Sequence, residues 1–145
     1  MAIVRGCAFP DELLYDVGNS VWLRPERDGT ATLGLTSLAA MLLGEATLFA
    51  PLEIGAVVMP NRAAASVEGA KAEIPLQSAV RGKIVVVNET VRAKPGLINR
   101  DPYGAGWLLR LEPVNWEDVA EALLTGADVA PAFEVEMERY GYEGR

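Results

Sequence analysis

Histidine does not occur in this chain of 145 residues, and cysteine occurs once, as Cys7. The missing imidazole excludes Ser–His and Cys–His nucleophile pairs, histidine metal sites and any pH switch built on histidine. A single thiol excludes an internal disulfide and fits a reducing compartment. Lysine is scarce too, present only as Lys71, Lys83 and Lys94. Positive charge is in deficit, with 13 Lys and Arg against 20 Asp and Glu and a net charge of −7. Such a surface repels phosphate backbones, which argues against nucleic acid as a partner. The longest apolar stretch, residues 33–58, is interrupted by Gly44, Glu45, Pro51, Glu53 and Gly55. It therefore holds no span of about 20 apolar residues, and no membrane insertion is expected. Near the N-terminus, Arg5 is soon followed by Pro10, Asp11 and Glu12 rather than an apolar core, so no signal peptide is expected. The expectation is a cytoplasmic protein, and one this poor in catalytic groups is more suited to presenting something than to doing chemistry itself.

Half of the residues are hydrophobic, and a chain of this length buries about 68–70% of its unfolded surface without a metal or disulfide staple. The net negative charge is confined to one end. Residues 1–111 carry 11 basic and 11 acidic side chains, whereas residues 112–145 carry nine acids against Arg139 and Arg145. Short β-type runs fill the neutral part. Asp28-Gly29 is a hairpin dipeptide between Val21-Trp22-Leu23 and residues 31–35. Residues 37–43 predict a short helix capped by Thr36 or Ser37 and stopped at Gly44. Further strands are expected over 46–50 (broken by Pro51), 56–59, 63–68, 73–77, 84–87 and 107–111. After Pro113 the pattern turns helical. Asn115 is placed to cap a helix over 116–124 that ends at Gly126, and a second helix is expected over 128–140, with Pro131 in its first turn. The outcome is a mainly β body with a C-terminal helical clasp.

Residues 67–73, Val-Glu-Gly-Ala-Lys-Ala-Glu, lie between two strand-like runs of similar length. The small residues Gly69, Ala70 and Ala72 favour a tight hairpin and leave the Lys71 side chain unhindered at its tip. Lys83 opens a Val-rich strand, and Lys94 precedes Pro95 in a loop. An enzyme that attaches a group to one amine among several requires an exposed turn of fixed shape. A solvated surface charge is the commoner role of a lone lysine on a turn.

The blocks around this lysine resemble those of the glycine cleavage H-protein family, from Tyr15 to Pro113. They are Asp28-Gly29-Thr30-Ala31-Thr32-Leu33-Gly34-Leu35-Thr36, Leu43-Gly44-Glu45, Val67-Glu68-Gly69-Ala70-Lys71-Ala72 and Ser78-Ala79-Val80-Arg81-Gly82. Val87-Asn88-Glu89, Pro95-Gly96-Leu97-Ile98-Asn99 and Asp101-Pro102-Tyr103-Gly104-Ala105-Gly106-Trp107-Leu108 complete the series, the last being the most specific. The resemblance implies one domain over residues 1–145, with a core over 15–113 and a helical extension over 114–145. It implies a barrel-sandwich hybrid of two quasi-symmetric sheets with a short helix and C-terminal helices. It also implies covalent lipoate on Lys71, with Glu68, Gly69, Ala70 and Ala72 forming the recognised segment.

Lipoate attachment removes the lysine charge and adds a long apolar arm. The cofactor brings the reactivity, and tethering raises its effective concentration at each partner's site. The resemblance implies that Glu68 steers the attaching enzyme, a lipoate-protein ligase or lipoyltransferase; the alternative is a solubilising charge beside the turn. Glu45, Glu53 and Glu73 could extend an acidic docking face or be scattered surface charge. Tyr103 and Trp107 are expected to pack in the core. Cys7 is expected to be a small buried residue, with approach to a lipoyl sulfur as the alternative.

The family's His-Glu-Trp segment is replaced by Asn19-Ser20-Val21-Trp22, and Asn61 stands at a usual turn glycine, where it can accept positive φ. The opening residues, Val4-Arg5-Gly6-Cys7, Phe9-Pro10 and Leu14-Tyr15, are similar to H-protein-like lipoate-binding proteins of heterodisulfide-reductase-like sulfur oxidation. On that reading the arm shuttles a sulfur-derived adduct and electrons to a heterodisulfide-reductase-like complex. The alternative is the glycine cleavage role, carrying the aminomethyl group of glycine between glycine decarboxylase, aminomethyltransferase and dihydrolipoamide dehydrogenase. A biotin carrier would have methionines beside its lysine, where this chain has alanines. An unmodified binding protein of the same fold would not need Lys71. A carrier that visits several active sites is expected to be a free monomer.

Overall fold

A computed structural model describes residues 1–144. The chain is mainly β, with short helices set between and after the strands. In order these are β1 (Ala2–Val4), β2 (Cys7–Phe9), β3 (Leu14–Asp16), β4 (Val21–Pro25), β5 (Ala31–Leu35), α1 (Ser37–Leu43), β6 (Ala46–Pro51), β7 (Val57–Val58), β8 (Ala65–Gly69) and β9 (Glu73–Leu76). The rest are β10 (Gly82–Val87), α2 (Glu89–Ala93), α3 (Leu97–Arg100), β11 (Leu109–Pro113), α4 (Trp116–Ala120), a 3₁₀ turn (Gly126–Asp128) and α5 (Val129–Arg139). A six-stranded sheet has the order β3-β4-β5-β11-β10-β7, and a three-stranded sheet the order β6-β8-β9. β1 and β2 form a separate hairpin. The mainly β architecture with a short helix and C-terminal helices is the one expected; its sheets are not closed into a barrel, and α1 joins the two larger ones in sequence.

Period-two burial explains the sheet that carries the candidate lysine. On β8, Ala65 and Val67 are buried, while Ser66 is half-buried and Glu68 exposed. Phe49 of β6 and Leu76 of β9 join them in the main core, which also takes Leu33, Leu35, Ile84, Leu109 and Leu111 from the larger sheet. A second apolar cluster joins the N-terminal hairpin to the C-terminal helix. In it Phe9 stacks on Phe133 at 4.1 Å between centroids, and Tyr15 meets Phe133 edge-on at 5.7 Å. Cys7 lies here, fully buried, with its Sγ donating to the Tyr142 hydroxyl at 3.8 Å.

Several expectations are met at the level of single residues. Gly29 has φ 88 in the β4–β5 loop, and Asn61 has φ 58, as a glycine replacement must. Thr36 caps α1 by accepting the Ala39 N–H, and Gly44 ends the helix. Others change. The helix expected over 116–124 stops at Ala120, because Leu124 is drawn into a two-way backbone bridge with Tyr15 (2.9 and 3.0 Å). Asn115 offers no side-chain cap to it. Its amide instead accepts from Arg81 N–H at 2.9 Å and donates to Ala79 O at 3.2 Å, tying the loop before β10 to the helix start. Gly126 opens a 3₁₀ turn. Pro51 ends β6 from within, and the strand expected from Trp107 begins at Leu109.

Candidate functional site

β8 and β9 form a hairpin whose register pairs Glu68 with Glu73 directly across the strands. The next backbone bond, Gly69 N–H to Ala72 O at 2.9 Å, closes a turn with Ala70 and Lys71 at its two central positions. Residues 70 to 73 are all exposed. Lys71 is exposed and forms no ion pair among the described residues.

The backbone of this turn, by contrast, is fastened. Ala70 N–H donates to Glu45 O and Lys71 N–H to Leu43 O, each at 3.0 Å. Both acceptors lie where α1 ends and β6 begins. A carbonyl at a helix C-terminus lacks an intrahelical partner, so the turn's free amides and the helix's free carbonyl satisfy each other. Gly69 makes this approach feasible. A Cβ there would stand 2.3 Å from Leu43 O, so the position needs glycine for space. Gly44 abuts the lysine stem, where an added Cβ would lie 2.9 Å from Lys71 Cγ. The site thus combines a fixed Cα with a free amine.

Glu68 and Glu73 stand side by side just below the turn, both exposed. Glu45 contributes its carbonyl to the turn, while its carboxylate reaches the other way, toward Gly96 and the Arg100 guanidinium. Glu53 lies apart, in the loop leading to β7, where Gly55 N–H bonds Ile84 O. The acidic character of the tip therefore comes from Glu68 and Glu73. An open cleft of about 560 Å³ begins at Ala72 and Glu73 and runs past Asn19, Ser20 and Leu42 to Tyr140 of the C-terminal segment. Neither that cleft nor the backbone anchoring of the turn was foreseen from the sequence.

The most specific sequence block serves structure. Pro102 O accepts the Trp22 indole N–H at 2.9 Å, and that ring lies flat on Gly34, where a Cβ would clash at 2.6 Å. The half-buried Tyr103 hydroxyl donates to Ala8 O at 2.5 Å and accepts from Ser37 N–H at 2.9 Å. Burial pushes its pKa up, which keeps it a neutral donor. Asn88 caps α2 and donates to Ala105 O and Trp107 O. Trp107 is half-buried beneath the Arg110 guanidinium, 5.6 Å from the ring centroid.

A lysine on a two-residue turn between short strands, in this order of blocks, has close relatives. A family model described as glycine cleavage H-protein matches residues 13–136. This chain belongs to the glycine cleavage H-protein family. It is 38% identical over 134 residues to glycine cleavage system H protein 5 of Aquifex aeolicus, covering 90% of this chain and 89% of that one. It is 40% identical over 121 residues to the glycine cleavage system H protein of Neisseria meningitidis serogroup B, covering 83% of this chain and 93% of that one. The crystal structure of a glycine cleavage system H protein from Mycobacterium marinum superposes with a TM-score of 0.73 at 28% identity. It covers 92% of this chain and 99% of the other. H-proteins of this family are lipoate carriers, with the cofactor covalently attached to a lysine.

Proposed function

We propose that Lys71 is the lipoyl-lysine and that the protein is the mobile carrier of the glycine cleavage system, bearing the aminomethyl group of glycine. The observation that carries this reading is the exposed, unpaired amine on a turn whose two central amides are bonded to the α1–β6 junction. An attaching enzyme meets an amine of fixed origin, with no ion pair to break first. Glu68 and Glu73 offer it two adjacent carboxylates, complementary to a basic groove. Gly69, Ala70 and Ala72 keep the approach open.

Lipoate, when attached, supplies a dithiolane that cycles between disulfide and dithiol, a two-electron couple. The chain's own residues tether and present it. The fixed turn confines the arm to one arc, and the cleft starting at Ala72 gives an apolar arm a surface on Ala39, Leu42, Ile74 and Pro75 to rest against. Partners then see the reactive end at high effective concentration. On this reading the reactivity is the cofactor's, and the chain serves as its carrier. Glycine decarboxylase, aminomethyltransferase, dihydrolipoamide dehydrogenase and a lipoate-attaching enzyme are the partners this role requires.

The relatives named above are all glycine cleavage system H proteins, which favours this role over the sulfur-oxidation branch suggested by the opening residues. Those residues are occupied in packing against α5, with Arg5 paired to Glu134 at 3.1 Å. A reconstituted glycine–bicarbonate exchange assay with cognate glycine decarboxylase tests the assignment. Exchange that depends on the lipoylated protein is expected. Absence of exchange, where another H-protein supports it with the same enzyme, would overturn the pathway and return the sulfur-oxidation reading to the front.

A further inference from the structure

Asn99 reaches the lysine turn from α3 without touching it. Its carboxamide spans three backbone groups around the end of α1. The oxygen accepts from Ala46 N–H at 2.8 Å, and the nitrogen donates to Gly44 O at 2.7 Å and to Ala40 O at 3.3 Å. Both polarities of the amide are used. Aspartate would supply no donor, and an apolar side chain would supply neither. The groups it holds bracket the two acceptors of the turn in sequence. Leu43, which receives Lys71 N–H, lies between Ala40 and Gly44; Glu45, which receives Ala70 N–H, lies between Gly44 and Ala46.

The junction needs such a clamp. Gly44 has φ 73 and ψ −163, so the chain leaves α1 sharply and loses the helical ladder at that point. Asn99 itself has a firm base. Its N–H bonds Gly96 O, and the segment that follows is fixed by Trp22 on Pro102 O and by Tyr103 on Ala8 and Ser37. The same segment therefore grips α1 at its N-terminus through Tyr103 and at its C-terminus through Asn99.

We propose that Asn99 is a positioning residue for acylation of Lys71: it locks the α1–β6 junction in the shape that pins the turn. The proposal rests on Lys71 being the acylated lysine. A turn ordered beforehand spares the attaching enzyme the cost of ordering it on binding. Removing the clamp moves that cost into recognition of the apo protein and leaves the chemical step alone.

The test uses the full chain as Asn99→Ala and Asn99→Asp. Two quantities are measured: amide hydrogen exchange of the apo protein, and the kinetics of lipoylation by a lipoate ligase with lipoate and ATP, read by intact mass. Exchange at Ala70 and Lys71 is expected to accelerate about tenfold or more, with β10 and β11 amides unchanged. The KM for the apo protein is expected to rise about tenfold while kcat stays within about twofold. Parent-like exchange at Ala70 and Lys71 in a folded variant would overturn the proposal. So would uniform acceleration across the molecule, or loss of the fold in both variants, since either makes Asn99 a general support. A parent protein that gains no lipoate would refute the reading of Lys71 instead, and the exchange data would still decide whether the clamp exists.

Discussion

Gly44, Gly69, Glu68 and Glu73 surround the turn that carries Lys71. Gly69 is required by proximity, since the nearest atom to an added Cβ is a backbone carbonyl that the turn itself uses. Gly69→Ala is expected to destabilise the protein by about 1–3 kcal/mol, the scale of an overpacked contact, and to slow lipoylation because the tip is displaced. A thermal melt and the rate of mass gain check both. Glu68 and Glu73 form a like-charge pair directly across two strands, an arrangement that weakens a hairpin by about 0.2–1 kcal/mol. Glu68→Gln is therefore expected to leave the melting temperature equal or slightly raised while lowering kcat/KM for the attaching enzyme. A variant both more stable and equally well lipoylated would reduce Glu68 to a solubilising charge. The exposed turn at residues 70–71 was legible in the sequence because small residues flank it between two strand-like runs, whereas the choice of Lys71 came from the resemblance of the surrounding blocks. The turn's anchoring was not legible, because the partners of the Ala70 and Lys71 amides lie about 25 residues earlier in the chain, in carbonyls that every residue possesses.

At the level of elements, local rules decided those pieces whose signals are carried by neighbours. The β4–β5 hairpin follows from Asp28-Gly29, with Asp28 accepting from Thr30 N–H at 3.0 Å and from its hydroxyl at 2.6 Å. α1 follows from Thr36 and Gly44. Thr36 is buried, caps Ala39 and shares a hydroxyl contact with Ser20, so Thr36→Ala is expected to cost about 1–2 kcal/mol in a denaturant titration. The β4–β5 loop also carries a titrating group. Thr32 and Arg24 hydrogen-bond Glu26 at 2.6 and 3.0 Å and hold its carboxyl below the usual carboxylate range. A carboxylate favoured by the fold contributes stability above its unfolded pKa and loses it as pH falls through the lower, folded value. The parent is thus expected to lose part of its stability below about pH 4, and Glu26→Gln to show a shallower loss over that window. Equal acid profiles for the two proteins would contradict this. Elements set by distant pairing were not legible. α4 is cut short by the Tyr15–Leu124 bridge, and the N-terminal hairpin turns at Arg5 with φ 47, a conformation that its residue type does not announce.

Across the whole molecule, the two ends meet on one apolar cluster. Phe133 of α5 meets both Phe9 and Tyr15, which also touch each other edge-on, and Arg5 pairs with Glu134 on the same helix. Phe133→Ala is expected to cost about 3–5 kcal/mol and to lower the melting temperature of the main transition, with no separate early step. A separate low-temperature transition would mean that the C-terminal segment is only loosely attached. The architecture concentrates firmness where a carrier needs it. α1 is gripped at both ends by residues 99–103, and its C-terminal junction holds a turn from which one amine projects freely. That projecting amine is the central claim. It is tested most directly by incubating the apo protein and Lys71→Arg with lipoate, ATP and a lipoate ligase, followed by intact mass. The parent should gain one lipoyl group and the variant none; a gain that persists in Lys71→Arg, or none in the parent, would contradict the account.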